Sequence, residues 1–343
     1  MKKAVVLNDT SFESHHGCEM VMQNISALLL VNGIQVIGTN PVGKDWEVNS
    51  DLLKKMIRSD IVIVNGEGTL HHCQPIAKKL ITVAQYVNEH IGIPIVLINA
   101  TYQSNGVDFA NYVRYFDMVY VREGLSRDDL AQHGINSKVV PDLTFYSSFD
   151  LSRKMTSQKI GVSDSVYEDL SRDLYQFSLV NKYKYLPALT HPDIQISNVA
   201  GIIKYLKYNI FRWVAQPLSL LGVKFDYRLL RILDYIDNYR DYIQEIASLG
   251  FLVAARYHSL CFALKTLTPF VALESNSHKV EGMLKDIGIG LERIVKQDKL
   301  HNLDMKKFSE SELDLITMYV ENAPRQIECM FQEIGKLLNK PLS

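Results

Sequence analysis

Asp60-Ile61-Val62-Ile63-Val64-Asn65-Gly66-Glu67-Gly68-Thr69-Leu70-His71-His72 starts as an unbroken apolar run and ends in glycines. Four consecutive Ile and Val residues with no polar alternate read as a strand covered on both faces, the pattern of a parallel sheet. Glycines at its carboxyl end suit a tight turn that lets backbone approach a ligand, and a helix starting just beyond would offer free N–H groups to an anion. No Gly-Lys-Ser/Thr follows, and the spacing is not GxGxxG, so neither nucleotide fingerprint is present. Asn65, Gly66, Gly68 and Thr69 are therefore candidates for a ligand-facing loop, with a plain structural turn as the equal alternative. Glu67 shows no packing role in the sequence and reads as a general base or a solvated carboxylate.

Working outward, the same pattern recurs. Ala4-Leu7, Gln35-Gly38, Ile95-Ile98, Met118-Val121 and Lys138-Val140 are further strand candidates. Between them Glu19 to Val31, Ser50 to Ile57, Ile76 to His90 and Ser126 to His133 carry apolar residues at helical spacing. Asp51 and Asp128 sit early in their helices, where a carboxylate favours the dipole. Pro141-Asp142 closes this unit, and Ser147 to Gln158 reads as a linker. A second α/β unit opens at Lys159-Ile160-Gly161-Val162-Ser163 and resumes at Phe251-Ala255 and Phe270-Leu273. The division is residues 1–150, residues 151–308 with a helical insertion at about 199–233, and closing helices over 309–343. Two α/β units facing each other make a cleft, and ligands of open parallel sheets bind outside the carboxyl ends of the strands.

Length and composition agree with this. A chain of 343 residues is long for one domain. With 47% hydrophobic and 22% charged residues and a net charge of -1, it reads as a folded soluble protein and not as a general nucleic-acid binder. Cys18, Cys73, Cys261 and Cys329 form no CxxC pair, which fits a reducing compartment. The apolar run after Met1-Lys2-Lys3 is too short for a signal peptide, and no stretch approaches the ~20 residues needed to span a bilayer. The expectation is a cytoplasmic protein, with any contact to the inner membrane peripheral.

In the second unit, Gly250-Phe251-Leu252-Val253-Ala254-Ala255 runs into Arg256-Tyr257-His258-Ser259-Leu260, where a helix starts. A guanidinium and an imidazole at a strand-to-helix turn are placed to meet an anion and to move a proton. The next strand leads in the same way to Lys279, so neighbouring strand ends present Arg256, His258 and Lys279 on one rim. His15-His16 and His71-His72 are adjacent pairs that do not share a helix face, so no metal site is expected. There is no Gly-x-Ser-x-Gly elbow for a serine hydrolase.

Together these segments resemble the polysaccharide pyruvyl transferase family. Gly17-Cys18-Glu19 opens a helix where the family has a Gly-Asp-type start, and Asn65-Gly66-Glu67-Gly68 stands in for its run of glycines. Val121-Arg122-Glu123-Gly124-Leu125-Ser126 is similar to its Arg-x-x-Ser segment, and Val140-Pro141-Asp142 falls at its Pro-Asp position. Arg256-Tyr257-His258-Ser259-Leu260, then Pro269-Phe270-Val271 and Lys279, are the strongest match. The resemblance implies two Rossmann-like domains with parallel sheets in a GT-B-like arrangement, the first on the acceptor side and the second on the donor side. It implies phosphoenolpyruvate as co-substrate, with no bound cofactor, and a glycan or lipid-linked glycan of the bacterial surface as acceptor. His258 would donate a proton, Glu67 or Asp142 would accept one, and Arg256, Lys279, Ser259 and Arg122 would hold the anionic donor.

Glu67 departs from the family pattern, since a carboxylate replaces glycine. Glu67 and Asp142 on one rim would also suit glycosyl transfer from a nucleotide-activated sugar such as CMP-Kdo, in capsule or lipopolysaccharide synthesis. A non-catalytic binding module would leave Arg256, His258 and Lys279 without a role.

The insertion has its own character. In Ile202-Ile203-Lys204-Tyr205-Leu206-Lys207-Tyr208-Asn209-Ile210-Phe211-Arg212-Trp213-Val214, helical spacing puts Ile203, Leu206, Ile210 and Trp213 on one side and the cations near its margins. Residues 202–231 thus read as a helix at a membrane surface, a core helix with lysines reaching solvent, or a face between copies of the chain. Tyr183, Tyr185 and His191, in what reads as irregular chain, could stack on a sugar.

Overall fold

A computed structural model describes residues 1–148, 158–190, 199–220 and 227–339. The first lobe comprises β1 (Lys2–Asp9), α1 (His16–Val31), β2 (Ile34–Pro41), α2 (Ser50–Ile57), β3 (Ile61–His71), α3 (Pro75–Tyr86), β4 (Ile95–Gln103), α4 (Val107–Val113), β5 (Met118–Val121), α5 (Gly124–Gln132) and β6 (Lys138–Val139). Its strands pair in parallel in the order β2-β1-β3-β4-β5-β6. The apolar runs explain the layering, because successive strand residues point to opposite faces. Ala4, Val6, Ile61, Ile63, Val96 and Ile98 enter one core with α1, while Val5, Leu7, Val62, Val64, Ile95 and Leu97 enter another with α2, α3 and α4.

The second lobe comprises β7 (Ile160–Ser163), α6 (Glu168–Asn181), β8 (Lys184–Leu186), α7 (Val199–Leu220), α8 (Tyr227–Leu230), α9 (Tyr239–Ala247), β9 (Phe251–Ala254), α10 (Tyr257–Lys265), β10 (Phe270–Leu273), α11 (Lys279–Ile287) and β11 (Ile294–Val295). Its parallel sheet has the order β8-β7-β9-β10-β11. Both sheets therefore begin with the same winding. The order reverses between β1 and β3 in the first and between β7 and β9 in the second, and such a reversal opens a crevice at the strands' carboxyl ends.

The closing region is a single helix, α12 (Glu310–Leu337), started by a capping box between Ser309 and Glu312. It returns to the first lobe, where Glu333 accepts a hydrogen bond from Tyr120 at 2.5 Å and pairs with Lys138 at 2.8 Å. One core runs through both lobes, joining Val6 and Ile25 to Leu260 and Phe262 and to Met330 and Phe331 of α12.

Three readings of the sequence need correction here. The carboxylate at the start of α5 is Glu123, whose side chain accepts from Ser126 N, and not Asp128. Tyr185 is a buried residue of β8, bonded through its hydroxyl to Tyr227, while His191 lies outside the described residues. The insertion is not a core helix, since Ile203, Leu206, Ile210 and Trp213 of α7 are all exposed.

Candidate active site

The glycine-rich segment is strand and not turn. β3 continues through it to His71, pairing with β4 as far as Gln103, with a register shift between Glu67 and Leu70. Because α3 starts only at Pro75, the glycines lead to no helix N-terminus. Gly66 serves the packing of the two strands, since a Cβ there would fall 2.4 Å from the Ala100 Cβ. Gly68 is different. A Cβ on it would lie 3.4 Å from Arg122 Nη2 and 3.5 Å from Lys279 Nζ, so the missing side chain leaves a place flanked by a cation from each lobe. Asn65 and Thr69 are engaged inside the first lobe. The Asn8 amide donates to the Asn65 carbonyl at 2.7 Å and to Thr69 Oγ1 at 3.2 Å.

Glu67 does have a structural role, contrary to the sequence reading. It is buried with φ of 39°, and it accepts from Thr10 Oγ1 at 2.5 Å and Asn65 Nδ2 at 3.2 Å. The Cys18 thiol lies 3.5 Å from its other oxygen and 3.6 Å from Glu13 Oε2. A thiol has one proton to give, so the two carboxylates share a single donor. Burial, followed by Glu67 and then Glu13, pushes the Cys18 thiol well above its ordinary range. Glu13 is exposed overall, yet its carboxylate reaches in to Cys18, and burial followed by Glu67 raises it.

His258, at the start of α10, meets the first turn of α1. A Cβ on Gly17 would fall 2.1 Å from the His258 Cγ, so only glycine lets the imidazole lie there. The His15 ring stands edge-on to it at 5.4 Å, and its Nδ1 caps α1 by accepting from Gly17 N at 3.1 Å. On the other side, His258 Nε2 is 3.8 Å from Asp142 Oδ2. Asp142 is fully enclosed. It binds Arg122 Nη1 at 2.9 Å, Thr144 N at 2.9 Å and Thr144 Oγ1 at 2.7 Å. Burial alone would raise its carboxyl, but His258 and Arg122 hold it well below the usual range. The Arg122 guanidinium lies 4.2 Å over the Tyr257 ring, a cation–π contact across the lobes.

Arg256 is partly spoken for. Its Nη2 and Nε donate to Asp164 Oδ2 at 2.7 and 3.2 Å. A guanidinium carries five N–H groups, so this leaves capacity for another anion. Lys279 is nearly buried and donates to Asn276 Oδ1 at 2.7 Å. Burial, followed by Arg122 and Arg256, lowers its ammonium to about 7. A bound anion would offset the cost of keeping this one buried ammonium charged. Ser259 does not join them, because it is fully buried and shares a 2.8 Å hydrogen bond with the Tyr242 hydroxyl, facing the core.

The structure thus brings Arg122, Arg256, Lys279, His258, Glu67 and Gly68 together where the lobes meet, with Asp142 enclosed behind Arg122, Asn65 supporting Glu67, and Ser259 turned away. Sequence reasoning gave Gly17 and Cys18 only a helix-opening part and missed Glu13 and His15, which with them follow β1, and Asp164, which follows β7. These are the first strands of the two switch points, and that position was the available signal. Backbone bonds fix the β1 loop from the other lobe. Thr190 N donates to Ser14 O at 2.7 Å and His16 N to Ala188 O at 3.0 Å. The ligating atoms of His15, Cys18 and His258 lie within 4.8 Å of one another, so this trio could hold a soft divalent ion once Cys18 gives up its proton. That set was not apparent from the adjacent histidine pairs.

Comparison with known proteins agrees with the geometry. A UDP-GlcNAc 2-epimerase from Methanocaldococcus jannaschii, in complex with UDP-GlcNAc and UDP, is 11% identical over 99% of each chain, with a TM-score of 0.51. An α-glucosyltransferase in complex with UDP is 10% identical over 98% of this chain and 95% of its own, with a TM-score of 0.43. The likeness to the epimerase is one of fold, two Rossmann-like lobes in the GT-B arrangement. No curated protein matches the sequence. The polysaccharide pyruvyl transferase profile matches residues 28–277, a span that takes in Glu67, Arg122, Asp142, Arg256 and His258 and stops just short of Lys279. This chain belongs to the polysaccharide pyruvyl transferase family and is a transferase of GT-B-like fold.

Proposed function

We propose that this transferase moves the enolpyruvyl unit of phosphoenolpyruvate onto a sugar of a bacterial surface glycan, closing a ketal on two hydroxyls. The observation that carries the reading is the convergence of Arg122 and Lys279, one from each lobe, on the empty side-chain position of Gly68, with Arg256 beside them and His258 held by Gly17. Phosphoenolpyruvate carries a carboxylate and a phosphate on one small carbon frame. A planar guanidinium suits the carboxylate and a compact ammonium suits the phosphate. Protonation of the vinyl carbon by His258 makes the adjacent carbon electrophilic. One hydroxyl adds there, the phosphate–oxygen link to that carbon breaks, and the second hydroxyl closes the ketal. Of the two hydroxyl protons, one replaces the proton that His258 gave to the methyl carbon, and the other departs with phosphate. Electrostatic stabilisation of the cationic carbon and the departing phosphate is the main demand on the site.

Glu13 suits the role of proton acceptor better than Glu67 or Asp142. Glu67 and Asp142 already accept several hydrogen bonds, whereas Glu13 is an exposed residue whose carboxylate meets the Cys18 thiol at 3.6 Å. The same facts weaken glycosyl transfer by a Glu67–Asp142 pair, because Asp142 is enclosed around Arg122. The test is incubation with phosphoenolpyruvate and a panel of defined glycans, read by phosphate release and by a pyruvyl mass gain on the acceptor. Stabilisation by a nucleotide sugar, with none by phosphoenolpyruvate, would replace this reading with the glycosyltransferase one.

A further inference from the structure

Helix α7 lies in the crossover between β8 and β9 and packs on the 3-10 turn Arg231–Asp234. At 100° per residue, Ile202, Leu206 and Trp213 fall on one line along it, and Ile203, Ile210 and Val214 on the next. All six are exposed, Leu206 to 51%, Ile210 to 58% and Trp213 to 83%. The half-buried Tyr208 and Phe211 fall on the other side of the helix. Lys207, exposed, stands at the margin of the apolar arc. In a chain whose overall formal charge is -1, residues 199–233 hold six cationic residues and one acidic one, Arg231 among the six being paired with Glu168 at 3.1 Å.

We propose that α7 is a docking helix that lies in the interfacial layer of an anionic lipid bilayer. Charge selects this occupant. A symmetric contact with a second copy would bring two strongly basic segments together, whereas a surface of anionic headgroups complements them. A wide apolar arc with a lysine at its margin and tryptophan at its edge is the composition of a helix that lies in, and does not cross, a membrane. Among the described residues no helix is long and apolar enough to cross a membrane.

The two tryptophans make the test direct. Trp46 is buried and donates to the Lys79 carbonyl at 2.8 Å, so Trp213 is the residue whose emission answers to the surroundings. The full chain is mixed with vesicles of phosphatidylcholine alone or with added phosphatidylglycerol, and followed by flotation and by fluorescence. Expected are co-flotation and a shift of emission to shorter wavelength on phosphatidylglycerol vesicles only, both weakening as salt is raised. Leu206→Glu should abolish both, and Lys207→Glu should weaken binding about tenfold or more. Both positions are exposed, so an unchanged melting curve will show that the variants are folded, and Trp213→Phe gives a second apolar-face variant that should lose the emission shift while floating normally. The proposal is overturned by wild-type protein that stays with the unbound fraction, or by binding that Leu206→Glu leaves intact. A dimer that Leu206→Glu converts to monomer, without vesicle binding by the wild type, assigns the face to self-association.

Discussion

The Cγ of His258 occupies the space in which a β-carbon on Gly17 would sit, the two being separated by 2.1 Å. One residue belongs to the first turn of α1 and the other to the first turn of α10, so the proposed proton donor of one lobe is seated by the backbone of the other. Gly17→Ala must displace the imidazole or the helix. We expect the variant to remain folded and still bind phosphoenolpyruvate, with turnover reduced by about 100-fold or more, the range of a misplaced general acid. Calorimetric binding beside phosphate-release kinetics separates the two quantities.

Lys279 supplies a pH dependence with a definite sign. Its ammonium is lowered to about 7, so the cation that meets the anionic ligand is lost as pH rises through that value. Affinity for phosphoenolpyruvate should fall between pH 6 and pH 9, and Lys279→Arg should flatten the profile. Stability runs the other way. Between about pH 7 and the ordinary lysine range of about 10.4 the unfolded chain binds the extra proton, so this residue's unfavourable contribution shrinks as pH rises. Lys279→Met should therefore melt higher at neutral pH, by about 2 to 4 °C for each kcal/mol of relief, while losing anion binding.

Arg122 and Asp142 are a buried pair, exposed to 2% and 0%. Removing one partner strands the other, so Asp142→Ala should cost about 3 to 5 kcal/mol in urea unfolding. The loss should appear in stability before any effect on substrate affinity can be read.

Glu13 and Glu67 are distinguished by the same logic. Glu67→Gln disturbs the bonds to Thr10 and Asn65 and should lower the melting temperature. Glu13→Gln should leave the melting temperature unchanged and reduce turnover by about 100-fold, with a change in the acidic limb of the pH–rate profile. A Glu13→Gln enzyme with wild-type turnover returns the acceptor-side role to Glu67.

The fold was legible because its strands are apolar runs flanked by helical spacing. Ile61-Val64 and Phe251-Ala254 could hardly be anything else. What escaped was too short or too contextual for periodicity. β8 has three residues and β11 two, no more than one and a half repeats of the strand period. The glycines after Val64 read as a turn because glycine usually ends a strand, whereas here Gly66 lets β4 come close and the strand runs on. Arg256, His258 and Lys279 were legible as residues that follow strands. Their partners were not, since Asp164 lies 92 positions from Arg256 and Gly17 lies in the opposite lobe. Ser259 was misjudged because its neighbour faces the crevice, and in a helix adjacent residues point 100° apart.

Helix α12 begins beside the second sheet, at the Arg293–Glu312 pair, and ends on the first, at Tyr120 and Lys138. A chimera that exchanges lobes between relatives at the 140–159 crossover would therefore separate this helix from half of its seat. In any such recombination residues 310–337 lose one side of their seat whichever lobe they travel with, so the helix makes a single heritable unit of an architecture that looks bipartite.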